Sequence, residues 1–108
     1  MNLIKNDESM INLIKAIKSL TATEELEKFF RDLCTREELE NMSERWSIAQ
    51  LLAKGTSYRK IAEELKTSTT TVSRVANWLN NGNGGYILAL QKTNQFHHSL
   101  SISISGKS

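Results

Sequence analysis

Residues 58–77 read Tyr-Arg-Lys-Ile-Ala-Glu-Glu-Leu-Lys-Thr-Ser-Thr-Thr-Thr-Val-Ser-Arg-Val-Ala-Asn. Two short helices joined by a tight turn explain this pattern. Helices that cross steeply need a small residue where they touch, and Ala62 supplies it. They also need apolar residues facing a shared core, and Ile61, Leu65, Val72 and Val75 stand at those offsets. Ser57 is placed to cap the first helix, which runs through Leu65, and Ser68 to cap the second. Lys66 opens the turn where glycine is usual. A left-handed lysine there costs on the order of 1 kcal/mol.

The second helix then presents Thr69, Thr70, Ser73, Arg74 and Asn77 outward. These are short hydrogen-bonding side chains with one arginine. A helix entering the major groove of DNA must approach closely, so such residues near its N-terminus suit it. Tyr58 and Arg59 begin the preceding helix, where a phosphate would meet a helix N-terminus. A helical hairpin with a merely solvated polar face is the alternative.

Outward from this hairpin, Thr35 and Glu38 have the spacing of a capping box. They open a long helix with apolar positions Leu39, Met42, Trp46, Ala49, Leu52 and Ala53, stopped by Gly55. Met10, Leu13, Ile14, Ile17 and Leu20 recur at helical spacing over 10–20. A short helix over 24–34 carries Leu26, Phe29, Phe30 and Leu33 on one face, with Thr21 and Glu24 as a second capping box. Asn81-Gly82-Asn83-Gly84-Gly85 breaks the chain before a last apolar stretch, Tyr86–Leu90. The reading is therefore all-α, about six helices. Residues 1–92 are expected to form the helix-turn-helix domain and 93–108 a polar, disordered tail.

The chain has 108 residues, no proline and five glycines, which fits one domain of long helices with few turns. Net charge is +2, unevenly spread. Residues 21–56 hold five basic and eight acidic side chains, whereas 57–90 hold Arg59, Lys60, Lys66 and Arg74 against Glu63 and Glu64. The C-terminal half is the side suited to a polyanion. The one cysteine, Cys34, allows no intrachain disulfide and suits a reducing cytoplasm. Lys15 and Lys18 interrupt the early apolar residues and no cleavage pattern follows, so no signal peptide is expected. No run approaches a membrane span. No catalytic triad, Walker loop or zinc-type cysteine set is present, and His97-His98 lack further ligands nearby. The reading is of a non-enzyme without cofactor or metal. Trp46 is expected in the core, and Trp78 and Tyr86 against a partner subunit.

Leu33-Cys34-Thr35, the long helix ending in Leu51-Leu52, Ser57-Tyr58-Arg59, and Thr71-Val72-Ser73-Arg74 with Asn77 together resemble the Trp repressor superfamily, in particular its YerC/YecD-type branch. The resemblance runs from Leu33 to about Leu90. It implies an intertwined homodimer that reads a pseudo-palindromic operator in double-stranded DNA. It places DNA contact on Tyr58, Arg59, Ser68, Thr69, Thr70, Ser73 and Arg74. LuxR-type domains and sigma-factor region 4 share part of the motif. A helical protein-interaction or RNA-binding module is the reading from another class, but this chain has few aromatics for base stacking.

The Trp repressor holds the indole of tryptophan between two arginines, one on the long helix and one on the recognition helix. Arg74 matches the second, and Glu44 stands at the first. Arg45 is one residue on, about 100° around the helix, and is expected to point elsewhere. Val75 stands where the Trp repressor has a glycine and is expected to fill the ligand space. The resemblance therefore implies no response to tryptophan, and leaves any other effector open.

Overall fold

A computed structural model describes residues 7–95. The described residues form six helices and no strand: α1 Asp7–Ser19, α2 Thr23–Leu33, α3 Arg36–Ala53, α4 Tyr58–Leu65, α5 Thr69–Asn81 and α6 Gly85–Lys92. The chain divides into two compact units, one up to Leu39 and one from Glu40 on, with α3 beginning in the first and continuing through the second. The all-α reading with six helices matches the element order.

The N-terminal unit has no buried residue in either α1 or α2. Their apolar stripes are present but only half-covered. Leu13, Ile17, Leu26, Phe29 and Phe30 are half-buried, while Met10, Ile11, Ile14 and Leu33 are exposed. The Phe29 and Phe30 rings meet edge to face at 5.9 Å. The expected capping box at Thr21 and Glu24 is not formed. α2 starts at Thr23, so its N-cap is Ala22, which has no side-chain acceptor. Glu24 and Glu25 in the first turn instead offset the positive end of the helix dipole. The second box is formed in full. Thr35 N donates to Glu38 Oε1 at 2.8 Å and Glu38 N donates to Thr35 Oγ1 at 3.0 Å, which opens α3.

The C-terminal unit holds the core. Ile48 and Leu52 from α3, Ile61 from α4, Val72 from α5 and Leu90 from α6 are fully buried. Removing each such side chain from water contributes about 2 kcal/mol. Ala49, Ala53, Ala62, Val75, Ala76 and Leu79 complete the cluster, and small residues at this density let the helices approach closely. Leu65 packs against it from the side. No polar residue is buried among those described, so the core owes nothing to internal polar pairs.

The turns follow from local chemistry. Gly55 adopts φ +86 just past α3, a left-handed conformation that leaves Thr56 N donating back to Leu51 O at 3.1 Å. Ser57 Oγ accepts from Lys60 N at 3.2 Å and starts α4. Lys66 takes φ 56 and ψ 47, so a lysine does hold the left-handed place in the α4–α5 turn. Thr67 N donates to Ala62 O at 3.0 Å, and the chain reverses into α5.

After α6, Thr93 Oγ1 donates to Ala89 O at 2.8 Å, and Gln50 Nε2 donates to Gln95 Oε1 at 2.8 Å. Of the tail expected over 93–108, residues 96–108 lie outside the described residues, as do His97 and His98. Among the described residues, no helix is long and apolar enough to cross a membrane.

Lys66→Gly removes the strain of a left-handed side chain and adds freedom to the unfolded chain. The first effect is larger, so the variant is expected to gain about 0.5 to 1 kcal/mol. A urea midpoint that falls instead of rising contradicts this account of the turn.

Candidate nucleic-acid interface

α5 has two faces with opposite tasks. Val72, Val75, Ala76 and Leu79 are buried, which turns Thr69, Thr70, Ser73, Arg74 and Asn77 to solvent. The 3.6-residue period makes this division unavoidable once the apolar face is committed to the core. Tyr58 begins α4 half-buried, packed against the same core, and Arg59 follows it exposed.

An open hollow of about 610 Å³ runs along this face. Of the seven residues expected to contact DNA, Tyr58, Thr69, Thr70, Ser73 and Arg74 line it together. Arg59 and Ser68 do not. Arg59 is exposed one residue beyond Tyr58, and neither Arg59 nor Arg74 is held in an ion pair among the described residues. Both guanidinium groups are thus available to an external anion. The Ser68 hydroxyl is engaged within the fold. It accepts from Thr71 N at 3.0 Å and lies 3.0 Å from Thr71 Oγ1, capping α5. No acidic residue lines the hollow, so nothing in it repels a polyanion.

Asn77 and Trp78 also line this hollow, although neither was among the seven. Asn77 was legible as part of the outward face. Trp78, expected against a partner subunit, is 57% exposed in the single chain.

A second open space, about 520 Å³, lies between α3, α5 and Tyr86 of α6. Asn41, Glu44, Arg45, Thr71, Arg74, Val75 and Trp78 also line it. One expectation is corrected here: Arg45 does not point away, since it lines the same space as Glu44 and Arg74. A long arginine stem can cross the distance that one helical step puts between neighbouring Cβ atoms. Val75, expected to fill the ligand space, is 3% exposed within the core cluster and forms part of the wall of this space. Trp46 is half-buried against the core, and its ring lies parallel to that of Tyr86 with centroids 6.5 Å apart. Among the described residues, no group of histidine, cysteine and carboxylate side chains is gathered as metal ligands would be.

Comparison with known proteins agrees with this fold. The model of the family described as Trp repressor protein matches residues 8–94. The uncharacterized protein YerC of Bacillus subtilis (strain 168) is 41% identical over 83 residues, covering 77% of this chain and 80% of YerC. A solved TrpR-like protein from Eubacterium eligens superposes with TM-score 0.79 at 35% identity, over 86% of this chain and 95% of that one. A second solved structure, from Staphylococcus aureus, gives TM-score 0.77 at 36% identity, over 82% and 88% of the two chains.

Ser68 caps α5 whereas Thr70 is exposed on it, so their substitution should affect stability unequally. Ser68→Ala is expected to cost about 1 kcal/mol of unfolding free energy. Thr70→Ala should change it by less than about 0.5 kcal/mol. Urea titrations of the two variants check this, and equal losses would contradict the assignment.

Proposed function

The chain belongs to the Trp repressor family, and from that premise we propose that it is a regulator of transcription, a repressor that binds a pseudo-palindromic operator as a homodimer. The observation that carries this reading is the outward face of α5. Its short polar side chains line one hollow with Arg74, and among the described residues neither Arg74 nor Arg59 at the start of α4 is held in an ion pair. Thr69, Thr70 and Ser73 are short enough for close approach to base edges, and the Thr methyls can meet thymine methyls. Arg74 is the longer reader on the same face. Tyr58 and Arg59 serve the phosphate backbone, and the Ser68 cap holds the first turn of α5 in shape for docking. The work is recognition rather than catalysis, and its place is the cytoplasm.

The homodimer is supported by apolar surface that one chain leaves uncovered. Met10, Ile11 and Ile14 of α1 and Leu33 of α2 are exposed, and apolar residues left uncovered along two helices suit an interface. Intertwining of the two subunits supplies the cover that α1 and α2 lack. Two copies of α5 then face the same side of a duplex.

The test compares two variants on duplex DNA at several salt concentrations. Arg59→Ala should weaken binding to all sequences alike and reduce the slope of log affinity against log salt by about 1. Thr70→Ala should leave the slope alone and change preference at particular base pairs. Unchanged affinity and slope for Arg59→Ala would show that α4 does not meet the backbone.

We further propose that tryptophan is not the effector. Space for a ligand exists, but Glu44 lines it. A carboxylate is a poor neighbour for the carboxylate of an amino acid. Calorimetry with millimolar L-tryptophan should show no saturable heat, and saturable binding that raises operator affinity would reject the proposal.

A further inference from the structure

Arg74 and Trp78 line both open spaces, the hollow along the outer face of α5 and the space between α3, α5 and Tyr86. The two spaces differ in charge. No acidic residue lines the outer hollow, whereas Glu44 lines the inner one. Glu44 is half-buried on α3, and Arg74 is exposed on α5. A pair that includes a partly buried charge is screened less than one on open surface. Among the described residues, neither Glu44 nor Arg74 is held in an ion pair. The Arg74 guanidinium is thus uncommitted, with a carboxylate on one side and the side suited to a polyanion on the other.

An arginine side chain rotates between staggered wells, and its charge is permanent. Turned inward, its planar fork meets the Glu44 carboxylate, and arginine–carboxylate pairs are among the stronger polar contacts. Turned outward, it meets DNA. One guanidinium cannot do both. We propose that Glu44 competes with DNA for Arg74, so that Arg74 serves recognition only in the molecules where it has left Glu44. Glu44 is then a positioning residue, which touches no DNA and acts through Arg74. Arg45 borders the same inner space, and any share of Glu44 that it takes lessens the hold on Arg74.

The proposal rests on the DNA-binding reading and adds an internal brake on affinity to it. Apparent affinity falls in proportion to the fraction of molecules in the competent state. An inward Arg74 for about two-thirds of the time makes binding about threefold weaker than the outward state allows. An ion pair at this degree of exposure biases an equilibrium by about two- to fivefold, which is enough.

The test is a double-mutant cycle of Glu44→Gln and Arg74→Gln in the full chain, on a duplex recovered by the wild type from random DNA. Glu44→Gln should tighten binding about threefold in the wild-type background and change nothing in the Arg74→Gln background. Equal tightening in both backgrounds would mark a long-range charge effect and overturn the proposal. No tightening in the wild-type background would overturn it as well. Thermal unfolding of the variants should overlay the wild type, since neither side chain belongs to the core. A second measurement needs no DNA. The Arg74 Nε–H signal in NMR, assigned by its loss in Arg74→Gln, should shift on Glu44→Gln in the free protein. An unmoved signal would reject the competition. A wild type that recovers no duplex removes the DNA-binding reading and the proposal with it, while the NMR shift still reports the pair.

Discussion

Everything in the C-terminal unit depends on one apolar contact set, in which Val72 and Val75 of α5 are buried with Ile61 of α4 and Ile48 and Leu52 of α3. A 13-residue helix has little stability alone, and packing of one face is what holds it in place. That packing also decides function. With Val72, Val75, Ala76 and Leu79 inward, the helical period leaves Thr69, Thr70, Ser73, Arg74 and Asn77 outward. The surface proposed to read DNA is the complement of the core, and substitutions on the two faces should have separable effects.

The turn between α4 and α5 sets the angle at which that surface is shown. Lys66 takes the left-handed conformation that releases the chain from α4, and Ser68 caps α5 two residues later. Strain at Lys66 is tolerated because the core over-determines the turn. Tyr58 links the two elements, since it packs against the core and also lines the hollow beside α5. The start of α4 and the face of α5 are thus held as one surface, a condition for backbone and base contacts to be made in register.

Much of this was legible in the sequence where the signal is local. Thr35 with Glu38, Ser57 and Ser68 cap their helices through spacing of three residues, and each is observed. The left-handed lysine followed from its place after Leu65. Legibility failed where the deciding neighbour is distant or the side chain is long. Ile48 is fully buried yet was not on the expected stripe of α3, because the buried face, Ile48, Ala49, Leu52 and Ala53, is rotated from the stripe that includes Met42. The start of α2 at Thr23 displaced an expected cap by one residue. Arg45 was misplaced around the space beside α5, since periodicity gives the direction of a Cβ and not the reach of a guanidinium.

The central claim is that the outward face of α5 reads DNA as one half of a symmetric pair. Selection of the full chain against random duplex DNA, followed by sequencing, tests it most directly. The account predicts a recovered site with two-fold symmetry and half-site centres about one helical turn apart, ~34 Å. Recovery of an asymmetric site, or no enrichment over the starting pool, would contradict it.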